Sequence, residues 1–256
     1  MKKYKAYLID LDGTMYRGIE KIEEASDFVK ALNDKNIPYL FVTNNSSQKP
    51  ENVAKKLMSF DIPATKEQVY TTSLATADYI YEQTPNAKIY MIGEEGLRHA
   101  LVEKGFELTD ESPDYVVIGI DREITYEKLA KACLAVRNGA KFISTNGDIA
   151  MPTERGFLPG NGSLTSVISV STRTKPIFIG KPESIIMEGA LHVMNVSAED
   201  AIMVGDNYDT DILAGIHANV DTLLVYTGIT QQQHLENVKE QPTYTVNHLR
   251  EWIENM

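Results

Sequence analysis

Short apolar runs, each followed by a turn and then an amphipathic stretch, recur along this chain. The predicted strands are Ala6–Ile9, Pro38–Val42, Lys88–Ile92, Tyr115–Ile120, Lys141–Ser144, Ile177–Ile179, Ala201–Val204 and Thr222–Tyr226. The predicted helices include Lys21–Asn33, Glu51–Phe60, Glu95–Lys104, Tyr126–Arg137 and Glu183–Met194. Because the apolar runs are continuous rather than alternating, and helices separate them, the pattern predicts parallel strands covered on both faces. The predicted fold class is therefore α/β, with a doubly wound parallel sheet.

The residues that follow the predicted strands differ between parts of the chain. Ligands of such sheets collect beyond the carboxyl ends of the strands, so these residues indicate where chemistry can occur. Four ends are rich in polar side chains: Asp10-Leu-Asp12, Thr43-Asn-Asn-Ser-Ser47, Gly180-Lys-Pro182 and Gly205-Asp-Asn-Tyr-Asp-Thr-Asp211. The runs ending at Ile92 and Ile120 lead into ordinary solvated turns. We therefore predict a core formed by residues 1–79 and 178–256, with a smaller α/β module inserted at residues 80–177.

Asp10 and Asp12 stand where a buried apolar run ends. In an extended segment residues i and i+2 point the same way, so both carboxylates can face one site, and Gly13 allows a sharp turn. Taken alone, the segment Asp10–Thr14 fits equally well a strand end and turn whose acids satisfy only local backbone. The three other polar strand ends favour the functional interpretation.

These strand ends would assemble carboxylates with one hydroxyl and one ammonium group, from Asp10, Asp12, Asp206, Asp211, Thr43 and Lys181. Such a cluster is stable in its ionised form only with a cation, and oxygen ligands favour Mg²⁺ over zinc. A metal, a lysine and backbone N–H groups form a clamp for a phosphoryl group, whose transition state needs positioning and charge neutralisation. One aspartate can then act as nucleophile and a second as acid and base.

Composition restricts the classes of partner. The chain has 256 residues, a formal net charge of −11 and a pI near 5.0, which argue against nucleic acid or an anionic membrane as partner. Its single cysteine, Cys133, cannot form an intrachain disulfide, and no apolar stretch approaches the ~20 residues of a membrane span. The apolar run after Lys5 is interrupted at Asp10, unlike a secretory signal. We expect a cytoplasmic protein that acts on a small molecule.

The four motifs resemble those of the haloacid dehalogenase superfamily, in the same order: D-x-D-G-T, T-N-N, G-K-P and G-D-x-x-x-x-D. Together with the inserted module, they are similar to subfamily IIA, the NagD/p-nitrophenyl phosphatase-like members with a C2-type cap. The resemblance covers the whole chain. It implies a Rossmann-like core, an α/β cap and Mg²⁺ as cofactor. The oligomeric state stays open, and one possibility is a homodimer that pairs through the caps.

The resemblance also implies roles for individual residues. Asp10 would be the nucleophile and a metal ligand, and Asp12 would be the general acid and base that also offers its backbone carbonyl to the metal. Asp206 would be the second metal carboxylate, with Asp211 in a supporting role. The phosphate would be bound by Leu11, Thr43, Asn44 and Lys181. Purely structural interpretations remain for some of these residues, namely a helix N-cap for Thr43, a helix-face acid for Asp211 and a solvated loop lysine for Lys181.

In the inserted module, the loop from Thr145 to about Arg155 would lie over the core site in relatives with this type of cap. By that analogy Asn146, Asp148 and Arg155 are candidates for recognition of the leaving group. A turn followed by a helix capped by Asn161 or Ser163 explains the same segment without any functional role.

The predicted activity is Mg²⁺-dependent hydrolysis of a small phosphomonoester through an aspartyl-phosphate at Asp10. A phosphotransferase or mutase would share the first step but would protect the intermediate from water. A signalling module that accepts a phosphoryl group without turnover is a third class. It would place its acceptor on a later strand than the acidic pair and would lack the inserted module, so the pattern disfavours it.

Overall fold

The computed structural model describes residues 2–153, 155–254 and 256. The chain forms two compact units. The first contains Met1–Thr43, Pro50–Tyr70 and Lys181–Met256, and the second contains Asn44–Lys49 and Thr71–Gly180. These units are defined by internal contacts and differ from the predicted domains at residues 44–49, 71–79 and 178–180. The division into a catalytic core and a cap stays a prediction.

Strands and helices alternate through most of the chain, which confirms the predicted α/β class. The strands are β1 (Ala6–Ile9), β2 (Tyr16–Arg17), β3 (Glu20–Lys21), β4 (Tyr39–Thr43), β5 (Val69–Thr71), β6 (Lys88–Ile92), β7 (Glu107–Leu108), β8 (Tyr115–Ile118), β9 (Lys141–Ser144), β10 (Ala150–Thr153), β11 (Gly156–Pro159), β12 (Ile177–Phe178), β13 (Ala201–Gly205), β14 (Asp221–Val225) and β15 (Tyr244–Val246). The helices are α1 (Glu23–Asp34), α2 (Pro50–Met58), α3 (Thr72–Gln83), α4 (Glu95–Glu103), α5 (Tyr126–Arg137), α6 (Asn161–Thr172), α7 (Ser184–Met194), α8 (Leu213–His217) and α9 (Leu249–Ile253).

A six-stranded sheet forms the centre of the first unit, in the order β15-β14-β13-β1-β4-β5. Strand β1 pairs in parallel with β13 on one side and with β4 on the other. All four residues of β1 and all five of β4 are buried, as expected of strands covered on both faces. The carboxyl ends of β13, β1 and β4 are consequently neighbours at one edge of the sheet.

Helix packing completes the core of the first unit. Helix α1 buries one face through Phe28, Val29 and Leu32, which join a cluster that also contains Ile9 and Phe41 from the sheet. At about 25 cal/mol per Å² of apolar surface removed from water, such side chains each contribute roughly 1.5–3 kcal/mol. This packing holds the strand ends in fixed positions.

The second unit has its own sheet of five strands, in the order β12-β9-β8-β6-β7, and all its described pairings are parallel. Its core contains Ile92, Val116, Ile118 and Phe142 from the strands, with Ile168 from α6. The N-cap residues of helices α5 and α6 are Thr125 and Gly160, and the Thr125 hydroxyl caps α5 by accepting the Lys128 N–H. The second unit is thus α/β as predicted for the inserted module.

Two features of the second unit differ from the sequence-based expectations. Helix α3 was not among the predicted helices, because its polar residues Thr72, Ser73 and Thr76 are buried and weaken the apolar periodicity. The predicted loop from Thr145 to Arg155 contains strand β10, which pairs with β11 in an antiparallel hairpin. Among the described residues, no helix has the length and apolar character needed to cross a bilayer.

Candidate active site

Three adjacent strands deliver polar residues to one edge of the first unit's sheet. Asp10 follows β1 directly, Asp206 follows β13, and Thr43 ends β4. The last pair in the register of β1 and β4 is Ile9 with Phe41, which lies one residue before Asp10 and two residues before Thr43. Asp10, Asp206 and Thr43 are all buried, at 8%, 1% and 8% relative exposure. Charged groups at such depth need strong compensation, which the neighbouring residues supply in part.

Lys181 lies at the centre of this group and uses all three ammonium protons. Its Nζ donates to Asp10 Oδ1 at 2.5 Å, to Asp211 Oδ1 at 2.8 Å and to the Val42 carbonyl at 3.1 Å. With 2% relative exposure, Lys181 is not the solvated loop lysine of the structural alternative. The contact with Val42 also joins the lysine to β4 just before Thr43.

Asp211 reaches the site from an irregular helical turn at Tyr208–Ile212, which leads into α8. Its Oδ2 accepts the N–H of Asn207 at 3.0 Å, while its Oδ1 accepts from Lys181. At position 205 a side chain would overlap Asp211, so a glycine there allows the close approach. Asp211 is therefore a buried member of the cluster and not an acid on an exposed helix face.

Thr14 connects the two carboxylates that the sequence assigned to the metal. Its hydroxyl lies 3.4 Å from Asp10 Oδ2 and 3.3 Å from Asp206 Oδ1. Gly13, with φ of +96°, makes the turn that brings Thr14 to this position, and a side chain at residue 13 would overlap the Asp206 carboxylate. Thr14 belongs to the first motif, although no role is predicted for it from the sequence.

The electrostatics of the site are dominated by burial. Removal from water, followed by repulsion from Asp211, raises the pKa of Asp10 well above its usual range, and Lys181 opposes the shift. The same two causes raise the pKa of Asp206 to about 7, against the Ile229 N–H that donates to it. Burial alone would lower the pKa of Lys181, but Asp10 and Asp211 outweigh it and hold the pKa above its usual value. The lysine is therefore charged. Its single positive charge is not sufficient to compensate the neighbouring carboxylates.

The donor set fits a hard divalent cation. Asp10, Asp206 and Asp211 each offer a carboxylate oxygen, and these oxygens lie within 4.8 Å of one another. When all three carboxylates are ionised, the one ammonium of Lys181 leaves a net charge of −2 in a buried space. Oxygen-only ligands of this charge are those that Mg²⁺ prefers, and these three residues include no histidine or cysteine to favour zinc.

Asp12 lies apart from the three buried acids. Its side chain is exposed, and its Oδ1 accepts the N–H of Gly18 at 3.2 Å. Because β1 ends at Ile9, the alternation of side chains along a strand does not by itself fix where the Asp12 carboxylate lies relative to Asp10. The exposed carboxylate is accessible to a ligand, and its predicted role as acid and base stays a prediction.

The predicted phosphate-binding residues have different surroundings. The side chain of Leu11 belongs to the apolar core, so a polar ligand could meet only its backbone. Asn44 follows Thr43 directly but belongs to the second unit, where its carbonyl accepts from Asn146 Nδ2 at 2.8 Å. The Asn44 Nδ2 lies 3.3 Å from each carboxylate oxygen of Asp148.

Two of the three predicted specificity residues thus hold Asn44 within the second unit. Asn146 is buried, and its Oδ1 accepts the N–H of Asp148 at 3.1 Å. Arg155 is exposed in the turn of the β10–β11 hairpin, where its N–H donates to the Thr153 hydroxyl. Asn161 is buried at the start of α6, and its Nδ2 lies 2.9 Å from the Asn146 carbonyl. The structure therefore groups Asn146 and Asp148 together, and Arg155 stands apart from that group.

The comparisons with known proteins agree with the motifs. Residues 7–107 match a family model described as haloacid dehalogenase-like hydrolase, and residues 178–252 match a second model of HAD-hydrolase-like proteins. The chain is 63% identical over 253 residues to the 5'-nucleotidase YutF of Bacillus subtilis, covering 99% of each chain. It is 54% identical to an acid sugar phosphatase of Staphylococcus saprophyticus, covering 100% of this chain and 99% of the relative. The structure of NagD from E. coli K-12 superposes with a TM-score of 0.93 at 33% identity, covering 98% of both chains.

The chain belongs to the haloacid dehalogenase-like hydrolase family. Within the family it is a NagD-like member of subfamily IIA, as the order of its four motifs predicted. It is an enzyme of the phosphoric monoester hydrolase class, which confirms the prediction of a phosphatase.

Proposed function

We propose that this protein hydrolyses small phosphomonoesters with the help of Mg²⁺, through an aspartyl-phosphate formed on Asp10. The observation that carries the proposal is the excess of negative charge in the buried group of Asp10, Asp206 and Asp211 around a single ammonium. Such a group is costly without a cation and becomes a binding site for an anionic phosphoryl group once the cation is present. Asp10 and Asp206 would hold the cation, with the Asp12 backbone carbonyl as a further ligand and Asp211 in a supporting role beside Lys181.

When bound, Mg²⁺ would neutralise charge on the phosphoryl oxygens and keep the neighbouring carboxylates ionised. Asp10 attacks the phosphorus atom with one carboxylate oxygen, and the bond from phosphorus to the leaving oxygen breaks. Asp12 donates its proton to that oxygen, which departs as an alcohol. Asp12 then takes a proton from water as the water oxygen attacks the same phosphorus. The bond between phosphorus and the Asp10 oxygen breaks, which releases inorganic phosphate and regenerates the Asp10 carboxylate, with Asp12 again protonated.

Lys181 has two tasks in this scheme. It orients Asp10 by holding Oδ1, which leaves Oδ2 on the side of Thr14. Its charge also reduces the repulsion between the attacking carboxylate and an anionic phosphoryl group. Thr43 and the adjoining backbone of Asn44, with the backbone of Leu11, would bind phosphoryl oxygens at the carboxyl ends of β1 and β4.

The substrate class is a small phosphomonoester, and the relatives support more than one leaving group. A relative at 63% identity is named a 5'-nucleotidase and another at 54% an acid sugar phosphatase, so identity at this level does not select between the two. We propose nucleoside monophosphates and sugar phosphates as the first substrates to compare. The net charge of −11 and the single cysteine support a small-molecule enzyme of the cytoplasm.

The experiment is a phosphate-release assay with Mg²⁺ over nucleoside monophosphates, sugar phosphates and p-nitrophenyl phosphate. Asp10→Asn should remove essentially all turnover with every substrate. Asp209→Asn makes the same change in charge at an exposed acid near Asp211 and should keep normal rates. Turnover by Asp10→Asn within tenfold of the unmodified protein would overturn the assignment of the nucleophile.

A rapid-quench experiment distinguishes hydrolysis from phosphotransfer. The unmodified protein should carry a transient, hydroxylamine-sensitive phosphoryl group on Asp10, followed by release of inorganic phosphate. Transfer of phosphate to a second hydroxyl compound, with little free phosphate, would instead support the phosphotransferase or mutase alternative.

A further inference from the structure

The segment Thr227–Thr230, which follows strand β14, contacts the candidate metal site although none of the four motifs includes it. Its sequence, Tyr226-Thr-Gly-Ile-Thr230, is typical of an ordinary turn. In the first unit, β14 is paired with β13, the strand that delivers Asp206. The carboxyl end of β14 is therefore adjacent to Asp206.

Two backbone N–H groups of this segment hold Asp206. The N–H of Ile229 donates to Asp206 Oδ2 at 2.7 Å, and the N–H of Thr230 donates to the Asp206 carbonyl at 3.1 Å. The other carboxylate oxygen, Oδ1, lies 3.3 Å from the Thr14 hydroxyl, which also contacts Asp10. The segment thus fixes one oxygen and leaves the second on the side of the other acids.

Gly228 makes this approach possible. A methyl group at position 228 would overlap the Asp206 carboxylate, so the peptide can lie against the acid only without a side chain there. The residue has no positive φ, so an alanine at this position would be strained by the contact and not by its backbone conformation.

Both ends of the segment are anchored. The Thr227 hydroxyl donates to the Gly13 carbonyl at 2.7 Å, and Arg17 Nε donates to the Thr227 carbonyl at 2.5 Å. The Thr230 hydroxyl accepts the N–H of Tyr208 at 2.8 Å, at the start of the turn that carries Asp211. The segment therefore joins the turn after β1 to the turn after β13.

We propose that Thr227–Thr230 is a positioning element for the metal site, and that Gly228 is the residue on which its position depends. The inference rests on the proposed function, because it assigns Asp206 as a ligand of Mg²⁺. Displacement of the Asp206 carboxylate by a side chain at 228 would move one ligand of the group, and a small octahedral ion tolerates such movement poorly. The expected result is a loss of metal affinity without loss of the fold.

The test compares Gly228→Ala with Ile229→Ala, which keeps the donating N–H and removes a side chain that is 61% exposed. Affinity for Mg²⁺ is measured by calorimetric titration and by the rise in melting temperature on adding Mg²⁺ to protein prepared in EDTA. Gly228→Ala should bind Mg²⁺ at least tenfold more weakly than the unmodified protein, and Ile229→Ala within twofold. Thr227→Val, which removes the hydrogen bond to Gly13, should weaken binding by an intermediate factor.

Asp206→Asn separates failure of this inference from failure of the proposed function. If the unmodified protein and Asp206→Asn bind Mg²⁺ equally, the proposed metal site is wrong, and the inference fails with it. If Asp206→Asn loses binding while Gly228→Ala binds normally, only the inference is overturned. Should Gly228→Ala fail to fold in EDTA, Thr227→Val carries the test, and its normal affinity would overturn the proposal.

Discussion

Replacement of Asp206 by asparagine should stabilise the metal-free protein at alkaline pH. Folding raises the pKa of this buried carboxyl to about 7 from an ordinary value of 3.8. An acid with a raised pKa binds its proton more tightly in the folded protein. Its stabilising contribution is therefore complete below about pH 3.8 and is lost as the pH rises through 7. Asparagine, which is neutral at every pH, removes that loss.

The magnitude follows from the shift. A displacement of one pKa unit corresponds to about 1.36 kcal/mol, so a shift of about three units destabilises the metal-free protein by up to roughly 4 kcal/mol when Asp206 is fully ionised. For a chain of this size that free energy corresponds to a difference of about 10 °C in melting temperature. Bound Mg²⁺ should remove most of the pH dependence, because it favours the ionised carboxylate.

The assay is thermal unfolding followed by circular dichroism between pH 5 and 9, in EDTA and in Mg²⁺. In EDTA, the unmodified protein should lose stability between pH 5 and about pH 7 and change little above that, while Asp206→Asn should depend less on pH and melt at a higher temperature at pH 8. Asp209→Asn, at an exposed position in the same turn, is the control and should follow the unmodified protein. A metal-free Asp206→Asn protein that melts below the unmodified one at pH 8 would refute the reasoning.

Three further substitutions test Lys181 and two of the predicted specificity residues. Lys181→Met removes the ammonium that contacts Asp10 and Asp211. We expect phosphate release to fall by roughly 10²–10³-fold and the metal-free protein to lose stability most at alkaline pH. Phosphate release within tenfold of normal would contradict this expectation. Asp148→Ala removes the carboxylate beside the Asn44 amide, and we expect kcat/KM to fall about tenfold for all substrates alike, whereas Arg155→Ala should alter their ranking. Measurement of kcat/KM over the substrate panel checks both variants. If Asp148→Ala alters the ranking of substrates and Arg155→Ala lowers all rates alike, leaving-group recognition belongs to Asp148.

Sequence patterns predicted those strands of the two sheets that are short, continuous apolar runs, whereas β5, β7 and β15 were not predicted. Strands Ala6–Ile9, Lys88–Ile92 and Lys141–Ser144 have the predicted bounds, and so does helix Tyr126–Arg137. These segments owe their structure to burial of their own side chains, which the sequence records directly. Helix α3 was not predicted because its buried face is largely Thr and Ser. These side chains are held by hydrogen-bond partners such as the Thr145 carbonyl, which accepts from the Thr72 hydroxyl. Such partners lie far away in the sequence.

The part of the candidate site that could be predicted consists of polar residues that follow an apolar strand directly or within a few positions. Asp10, Lys181, Asp206 and Asp211 do meet in one buried group, as the order of the motifs indicated. The surroundings of Asp12 were not predictable, because the alternating direction of side chains holds only within a strand and the chain turns after β1. Its carboxylate contacts the N–H of a residue six positions later, which depends on the conformation of the turn.

The balance of charge links these findings into one requirement. Two uncompensated negative charges in the buried group of acids would oppose a phosphate monoester, which brings up to two more, by several kcal/mol at the short distances involved. Lys181 cannot offset that repulsion alone, since its charge already serves Asp10 and Asp211. A divalent cation held by the proposed site would restore neutrality before the phosphate arrives, and metal binding and phosphate binding would then be thermodynamically coupled. On the proposed function, precise placement of Asp206 would therefore affect substrate affinity as well as metal affinity, and a side chain at position 228 would weaken phosphate binding through Asp206.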